Sequence, residues 1–297
     1  MNTQDIEGKT HDPTVDKVGA ALNAQRFQMI EDIARELAGD VVFPTSFDTA
    51  IRLRKELQNP DLSTAQIARL VSLEPLVATK LVNLANSVLY SPDGSPAKNL
   101  QSVISRLGVD LVRSTALGIA MNQMLRAKDI AGFSQLAHDL WEHSVRTACA
   151  ARALARNGTR LPPEEALLAG LVHDLGAFYM LYRGVQYPEL RIRPDTLQHI
   201  IVGWHESIGV TLLNALGMPE DVVEASIDHD QPRTLPDPVR NLSDLVYIAN
   251  VLAGGHHAWS GLENEQNTSE DKMLQERFAE IIPLIEADSQ AMLAVFS

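Results

Sequence analysis

One cysteine, Cys149, in 297 residues leaves no partner for an internal disulfide, so nothing covalent staples this chain and a reducing compartment suits it. Set among small residues in TACAARALA, that thiol reads as a buried packing group rather than a reactive one. Long apolar runs are missing too: none approaches the roughly 18 residues a membrane span needs. The first residues, MNTQDIEGKTHDPTVDK, carry neither the basic start nor the apolar stretch of a secretion signal, so a cytoplasmic location is expected. Basic charge is also scarce. Twenty-five Lys and Arg stand against 38 Asp and Glu, a net −13, which is poor footing on a phosphate backbone and argues against a nucleic-acid binder. Valine, isoleucine and aromatics form no alternating runs, which excludes a sheet-based fold.

What the sequence does have is apolar residues at spacings of three and four, the helix period. A helix is expected over 18–38, closed by Gly39, after a disordered stretch to about residue 17. Phe43-Pro44 then opens a run of short helices. Within it Asn59-Pro60-Asp61 makes a turn, Ser63 is an N-cap, and Pro75 stands early in the next helix. SPDGSPAKN (91–99) is a loop, with helices at 100–107 and 109–126 around Gly108. From Ser134 the pattern lengthens. Helices are expected at 135–156 (ended by Asn157-Gly158), 163–175 (ended by Gly176), 195–216 (ended by Gly217), 219–229 (ended by Pro232) and 238–253. A loop over 256–269 and a final amphipathic helix at 270–294 complete the chain. The fold class is therefore all-α. Four segments are distinguished: 1–40, a polar tail and amino-terminal helix; 41–134, an amino-terminal helical half; 135–255, a second helical half; and 256–297, a loop and carboxy-terminal helix.

Polar residues interrupt the inward stripes of the second half. His143 lies between Leu140 and Thr147, and His205 between Ile201 and Ile208. His229 follows Val222 and Ser226, with Asp230 beside it. Asn250 falls between Val246 and Ala253, and the doublet His173-Asp174 ends the second helix just before Gly176. A lone inward histidine is ordinarily a hydrogen-bonded core residue. Three of them plus a His-Asp pair would cost several kcal/mol per unsatisfied group. Convergence on a divalent metal satisfies them together. His11, His138, His199, His256 and His257 fall off the stripes or in loops and are expected at the surface.

The order of these residues resembles the HDOD family, the output-domain branch of the HD superfamily, and is similar to the HD-GYP cyclic-di-GMP phosphodiesterases. LWEHSVRTA, LLAGLVHDLG, WHESIG, LLNALGMPEDVVEASIDHD and VYIANVLA carry the resemblance in the second half. NPDLS, the EP of SLEP, and LANS carry it in the first, and together they run from about residue 41 to 254. The resemblance implies an HD-like multi-helix bundle with the amino-terminal helical half packed on it. It also implies a first metal set of His143, His173 and Asp174, with Asp174 bridging to a second set of His205 and His229. The family's late aspartate is Asn250 here, the second histidine of its His-His pair is Asp230, and the lysine after HDxG is Ala177. Asp244 stands about 240° around the helix from Asn250 and does not replace it. The candidate ligands are thus His143, His173, Asp174, His205, His229, Asp230 and Asn250, for Fe, Mn, Mg or Zn.

Two functions compete. The resemblance implies a regulatory signalling module with a vestigial or weak metal site, acting through a protein partner or a nucleotide ligand. The alternative is a metal-dependent phosphohydrolase acting on a nucleotide or cyclic dinucleotide, with Asp174 as its catalytic residue. The retained histidines favour the second, while Asn250 and Ala177 favour the first. The segment STAQIARLVSLEPLVATKLVNLAN fits helix-turn-helix spacing, yet its reading helix offers phosphates a single lysine, Lys80.

Overall fold

The structure is a computed structural model describing residues 20–37, 45–126, 128–234, 237–255, 257–260 and 269–296. The expectations for residues 1–17, Gly39, Phe43-Pro44, His11 and His256 lie outside them. Every regular element among the described residues is helical. None of these helices is long and apolar enough to cross a membrane.

α1 (Ala20–Leu37) comes first and lies against α11 (Pro194–Ala215) of the second half, and the first half comprises α2 (Thr45–Glu56), α3 (Thr64–Ser72), α4 (Pro75–Ala85), α5 (Leu100–Leu107) and α6 (Val109–Met124). The expected punctuation does its work here. Ser63 closes a capping box with Gln66, whose side chain accepts from the Ser63 N–H at 2.9 Å. Pro75 occupies the first turn of α4, where its missing N–H costs nothing. Asn59 Oδ1 accepts from the Asp61 N–H at 3.0 Å and fixes the turn before α3.

The second half comprises α7 (Ser134–Gly158), α8 (Pro163–Val172), α9 (Leu175–Gly184), α10 (Pro188–Arg191), α11 (Pro194–Ala215), α12 (Glu220–Glu224) and α13 (Leu242–Leu252). After it come α14 (Ser269–Arg277) and α15 (Ile282–Phe296). α7 is the axis, with α8, α13 and α15 packed around it, while α9 lies along α11. At the α7–α8 crossing Gly170 brings two backbones together: a Cβ there would stand 2.8 Å from the Thr147 carbonyl oxygen. α6 is buried on most sides, against α2 on one face and α8 and α9 on another. One hydrophobic cluster consequently runs from Met29 to Phe296 through both halves.

Several boundaries differ from expectation. Gly176 does not end a helix. α8 stops at Val172, the chain turns at His173-Asp174, and α9 continues through Gly176 to Gly184. The helix expected at 219–229 stops at Glu224 and gives way to turns, with Asp228 at φ 53°. That backbone is held by Glu206, whose Oε1 accepts the Asp228 N–H at 2.6 Å. The helix expected from 238 starts at Leu242, capped by Asn241, whose Oδ1 accepts the Asp244 N–H. The final helix is broken around Ala279–Ile281, just ahead of Pro283.

α15 is tied to the axis by a buried charge. The Arg152 side chain is fully buried, donates to Tyr90 Oη and meets Asp288 Oδ2 of α15 at 3.1 Å. Cys149 is buried one helical turn away, its Sγ 3.5 Å from Met292 Sδ, and burial pushes the thiol up to about 11, as befits a packing group. Asp288→Ala leaves Arg152 buried with only a phenol, and should lower stability by about 2 kcal/mol in chemical denaturation, below the usual loss for a fully buried pair because Asp288 is partly exposed. An unchanged midpoint would show that α15 is held by its apolar face alone.

Candidate metal centre

Three helices and two turns deliver the polar side chains to one place. His143 comes from the middle of α7, His173 and Asp174 from the turn between α8 and α9, and His205 from the middle of α11. His229 and Asp230 stand in the turns after α12, and Asn250 on α13. None of the seven is more than 4% exposed.

The donors form two sets that share Asp174. One is His143, His173 and Asp174; the other is Asp174, His205, His229 and Asp230, with the donor atoms of each within 4.8 Å of one another. Asp174 Oδ2 lies 3.2 Å from His173 Nε2 and 3.7 Å from His143 Nε2. Its Oδ1 lies 3.3 Å from His229 Nε2 and 3.5 Å from His205 Nε2. Asp230 Oδ2 stands 3.4 Å from His205 Nε2 and 3.5 Å from His229 Nε2.

The histidine tautomers decide what these contacts mean. The Nδ1 atoms of three rings face backbone carbonyls: His173 that of Gly170 at 2.7 Å, His205 that of Val202 at 3.1 Å, and His229 that of Ser226 at 2.9 Å. Each Nδ1 must therefore carry the hydrogen, and in the neutral ring each Nε2 presents a lone pair. The Nε2 atoms of His205 and His229 nevertheless face one another at 3.4 Å, and those of His173 and His143 at 3.3 Å. Between His205 and His229 two lone pairs at that distance repel unless a proton or a metal ion lies between them, while His143, whose Nδ1 has no hydrogen-bond partner, can turn either a lone pair or an N–H toward His173. Two nitrogens each about 2.1 Å from one tetrahedral ion stand about 3.4 Å apart. Both oxygens of Asp174 are buried and lack a well-aligned hydrogen-bond donor. The donor set and its geometry fit a divalent metal.

The electrostatics divide the two sets. Burial pulls His143 down to about 4, against the opposing pull of Asp174, so this imidazole is neutral at physiological pH. Burial also opposes charge on His229, but Asp230 and Asp174 outweigh it and push that ring up to about 10. His205 is raised on balance for the same reason. Asp174 is held well below the usual carboxylate range, the cost of burying it being overcome by His173 and His229.

Asn250 lies beside the second set. Its Nδ2 donates to the His229 carbonyl at 3.0 Å and to Asp230 Oδ1 at 2.8 Å, leaving Oδ1 buried without a hydrogen-bond partner. As expected, Asp244 faces elsewhere, accepting from the Arg240 N–H. His138 and His199 are exposed.

His257 is a correction: it lies not at the surface but against the site, Nδ1 2.5 Å from Asp230 Oδ2, with its own N–H donating to Asp230 Oδ1 at 3.2 Å. The signal was the Gly254-Gly255 pair at the end of α13. With φ of 132° and 93°, these residues turn the chain back so that the Gly255 N–H donates to the Asn250 carbonyl. Trp259 follows, buried with its ring 5.7 Å from that of His205.

Known proteins share this arrangement of helices. A crystal structure described as that of a candidate metal-dependent phosphohydrolase from Shewanella amazonensis SB2B matches 92% of this chain and all of its own, at 22% identity and TM-score 0.70. An HDOD domain protein of unknown function from Geobacter sulfurreducens matches 91% of this chain and 99% of its own, at 19% identity and TM-score 0.57. A candidate signal transduction protein from Marinobacter aquaeolei VT8 matches 95% of this chain and 68% of its own, at 21% identity and TM-score 0.57. At such identities these likenesses establish the fold. An uncharacterised protein of Treponema pallidum (strain Nichols) is 23% identical over 215 residues, 68% of this chain but only 40% of that protein's length. The HDOD domain model matches residues 43–232, more than half of the sequence, and the chain therefore belongs to the HDOD domain family.

Proposed function

We propose that this chain is a regulatory signalling module that holds divalent metal in a closed site and acts through ligand or protein binding rather than turnover. The observation that carries it is the pair of donor sets around Asp174, buried to within 4% and lined by imidazole Nε2 atoms that face one another. His143 and His173 would hold an ion on one side of Asp174, and His205, His229 and Asp230 on the other. A set rich in imidazole favours iron or zinc over magnesium.

Turnover asks for more. Phosphoester hydrolysis needs an open coordination position and a cation near the developing charge. Position 177 carries an alanine that is itself fully buried, and Asn250 brings no negative charge to the late position. Sharing of one carboxylate between two donor sets is the feature that favours the phosphohydrolase reading, since paired ions clamp the oxygens of a phosphoryl group in two-metal enzymes. Elemental analysis of the purified chain, with assays on cyclic dinucleotides and simple phosphoesters in added Mn²⁺ or Fe²⁺, separates the two. Bound metal without turnover is expected. Turnover at the per-second rates typical of enzymes would make the protein a phosphohydrolase, and failure to bind any divalent metal would overturn both.

The two sets should also differ in pH response. His229 is raised from 6.5 to about 10, so its proton stabilises the metal-free fold fully below pH 6.5, and that stabilisation is lost as pH rises through about 10. An ion entering beside His229 must displace this proton. Its affinity should rise about tenfold per pH unit for each proton released, between pH 7 and 9. His143, already neutral, releases none, so the opposite set should respond less steeply. Chelator competition at pH 7, 8 and 9 measures both slopes, and two flat profiles would contradict the protonated His229.

A further inference from the structure

The charges of α2 hold an arrangement that the metal centre does not use. Arg54 is only 6% exposed, its Nε is buried without a hydrogen-bond partner, and among the described residues no carboxylate stands in ion-pair contact with it. Burying a guanidinium without a counter-charge is strongly unfavourable, and arginine stays protonated rather than shedding its charge. Burial, and then the neighbouring guanidinium of Arg113, push Arg54 below its ordinary value. The charge that acts on it most is thus another cation.

Two cavities meet at Arg54. The first, of about 250 Å³, lies toward α6, α8 and α12 and contains carboxylates, but these have other engagements. Asp110 pairs with Arg113, Glu164 meets Arg156 at 3.1 Å, and Asp221 accepts from the Val222 N–H at 3.0 Å. Glu165, which lines the same cavity, is raised by burial and then by Asp221 and Asp110. The second cavity, of about 270 Å³, is a cleft between α2 and the end of α11. Ile51, Arg54, Lys55 and Gln58 form one wall, and Leu216 and Gly217 the other. Its ionisable side chains are both cations. Of the carbonyls at the end of α11, those of Leu212, Leu213 and Asn214 are taken by the N–H groups of Leu216, Met218 and Gly217.

We propose that Arg54, with Lys55 and Gln58 beside it, forms a binding site for a phosphate-class oxyanion in the cleft between α2 and the end of α11. The planar guanidinium fork matches two phosphate oxygens at once, the exposed Lys55 adds a mobile point charge at the rim, and the Gln58 amide can donate a further hydrogen bond. Such a ligand supplies a counter-charge that the described residues do not give Arg54. It would bridge the amino-terminal half to the second half through α11, the helix that carries His205. The site contains none of the metal-centre residues and stands whether or not that centre holds metal.

The test is thermal unfolding of the full chain, metal excluded by chelator, with inorganic phosphate or with AMP as the probe. Wild type should show a saturable rise in melting temperature. Arg54→Met, which keeps the buried stem but removes the charge, should melt at or above wild type without ligand and show no rise with it. Such a crossover is not produced by a merely structural arginine, whose loss lowers the melting temperature under both conditions. If Arg54→Met fails to fold, Lys55→Gln at the exposed rim should fold normally and weaken the phosphate response at least threefold. Equal responses to the two probes would identify free phosphate as the source, and a tighter response to AMP a nucleotide; both support the site. Absence of a saturable rise in wild type, or an undiminished rise in both variants, would overturn it.

Discussion

Asp174→Asn should strip the purified protein of bound divalent metal in elemental analysis, while His143→Ala, on the same measurement, should lose the ion of one donor set and keep that of the other. The difference follows from where the oxygens of Asp174 stand. Oδ2 faces the Nε2 atoms of His173 and His143, and Oδ1 those of His229 and His205, so one carboxylate belongs to both sets. Asparagine keeps the shape but removes the negative charge and turns one ligating oxygen into an N–H donor. Losing an outer-shell partner already costs roughly 10–100-fold in metal affinity, and loss of a shared anionic ligand should exceed that at each ion. Thermal unfolding gives a second readout. Metal at a hundredfold excess over its dissociation constant stabilises the folded state by about 2.7 kcal/mol, and Asp174→Asn should show no metal-dependent rise. The exposed residue His138, changed to Ala, is the control. Full metal retention in Asp174→Asn would place the ions elsewhere and end the proposed role of this cluster.

Much of that centre is legible in the sequence, for a physical reason. His143 and His205 lie at helical spacing between residues that must be buried, so the period that builds the core also turns them inward. Ser63 is legible as a cap because Gln66 stands three residues later, and short-range geometry is written in short-range sequence. What escapes depends on the opposite end of the chain. His257 belongs to no stripe and arrives only because Gly254 and Gly255 adopt positive φ and fold the loop back on Asp230. Arg54, in the run RLRKE, looks like a residue of a solvated face; the end of α11 helps to enclose it, a contact made by chain far away in sequence. α9 escapes for another reason. LGAFYMLYRG is apolar on nearly every side, with no stripe to detect, and its glycine carries the usual signal of a helix stop.

Gly176→Ala carries the largest expected loss of stability, because that glycine is where two helices touch backbone to backbone. A Cβ at position 176 would stand 1.9 Å from the carbonyl oxygen of His205, 2.6 Å from the Gly209 nitrogen and 2.8 Å from the His205 carbonyl carbon. These are main-chain atoms of α11, so no rotamer change relieves the contact and the helices must separate. Overpacking in a core costs typically 1–3 kcal/mol and occasionally more, and a clash fixed on both sides belongs at the upper end, about 3 kcal/mol or beyond. The same displacement acts on the metal centre, since Asp174 immediately precedes α9 and His205 supplies the carbonyl that is struck. Gly176→Ala should therefore lower the melting temperature steeply and lose metal together, although residue 176 offers no ligand. Gly203→Ala, in the same helix as His205 but with nothing within 4 Å of its Cβ, should be neutral or stabilising by up to about 1 kcal/mol through helix propensity. If Gly176→Ala melts like wild type and keeps its metal, α9 and α11 are not held at the separation that brings Asp174 to His205, and the centre must be assembled some other way.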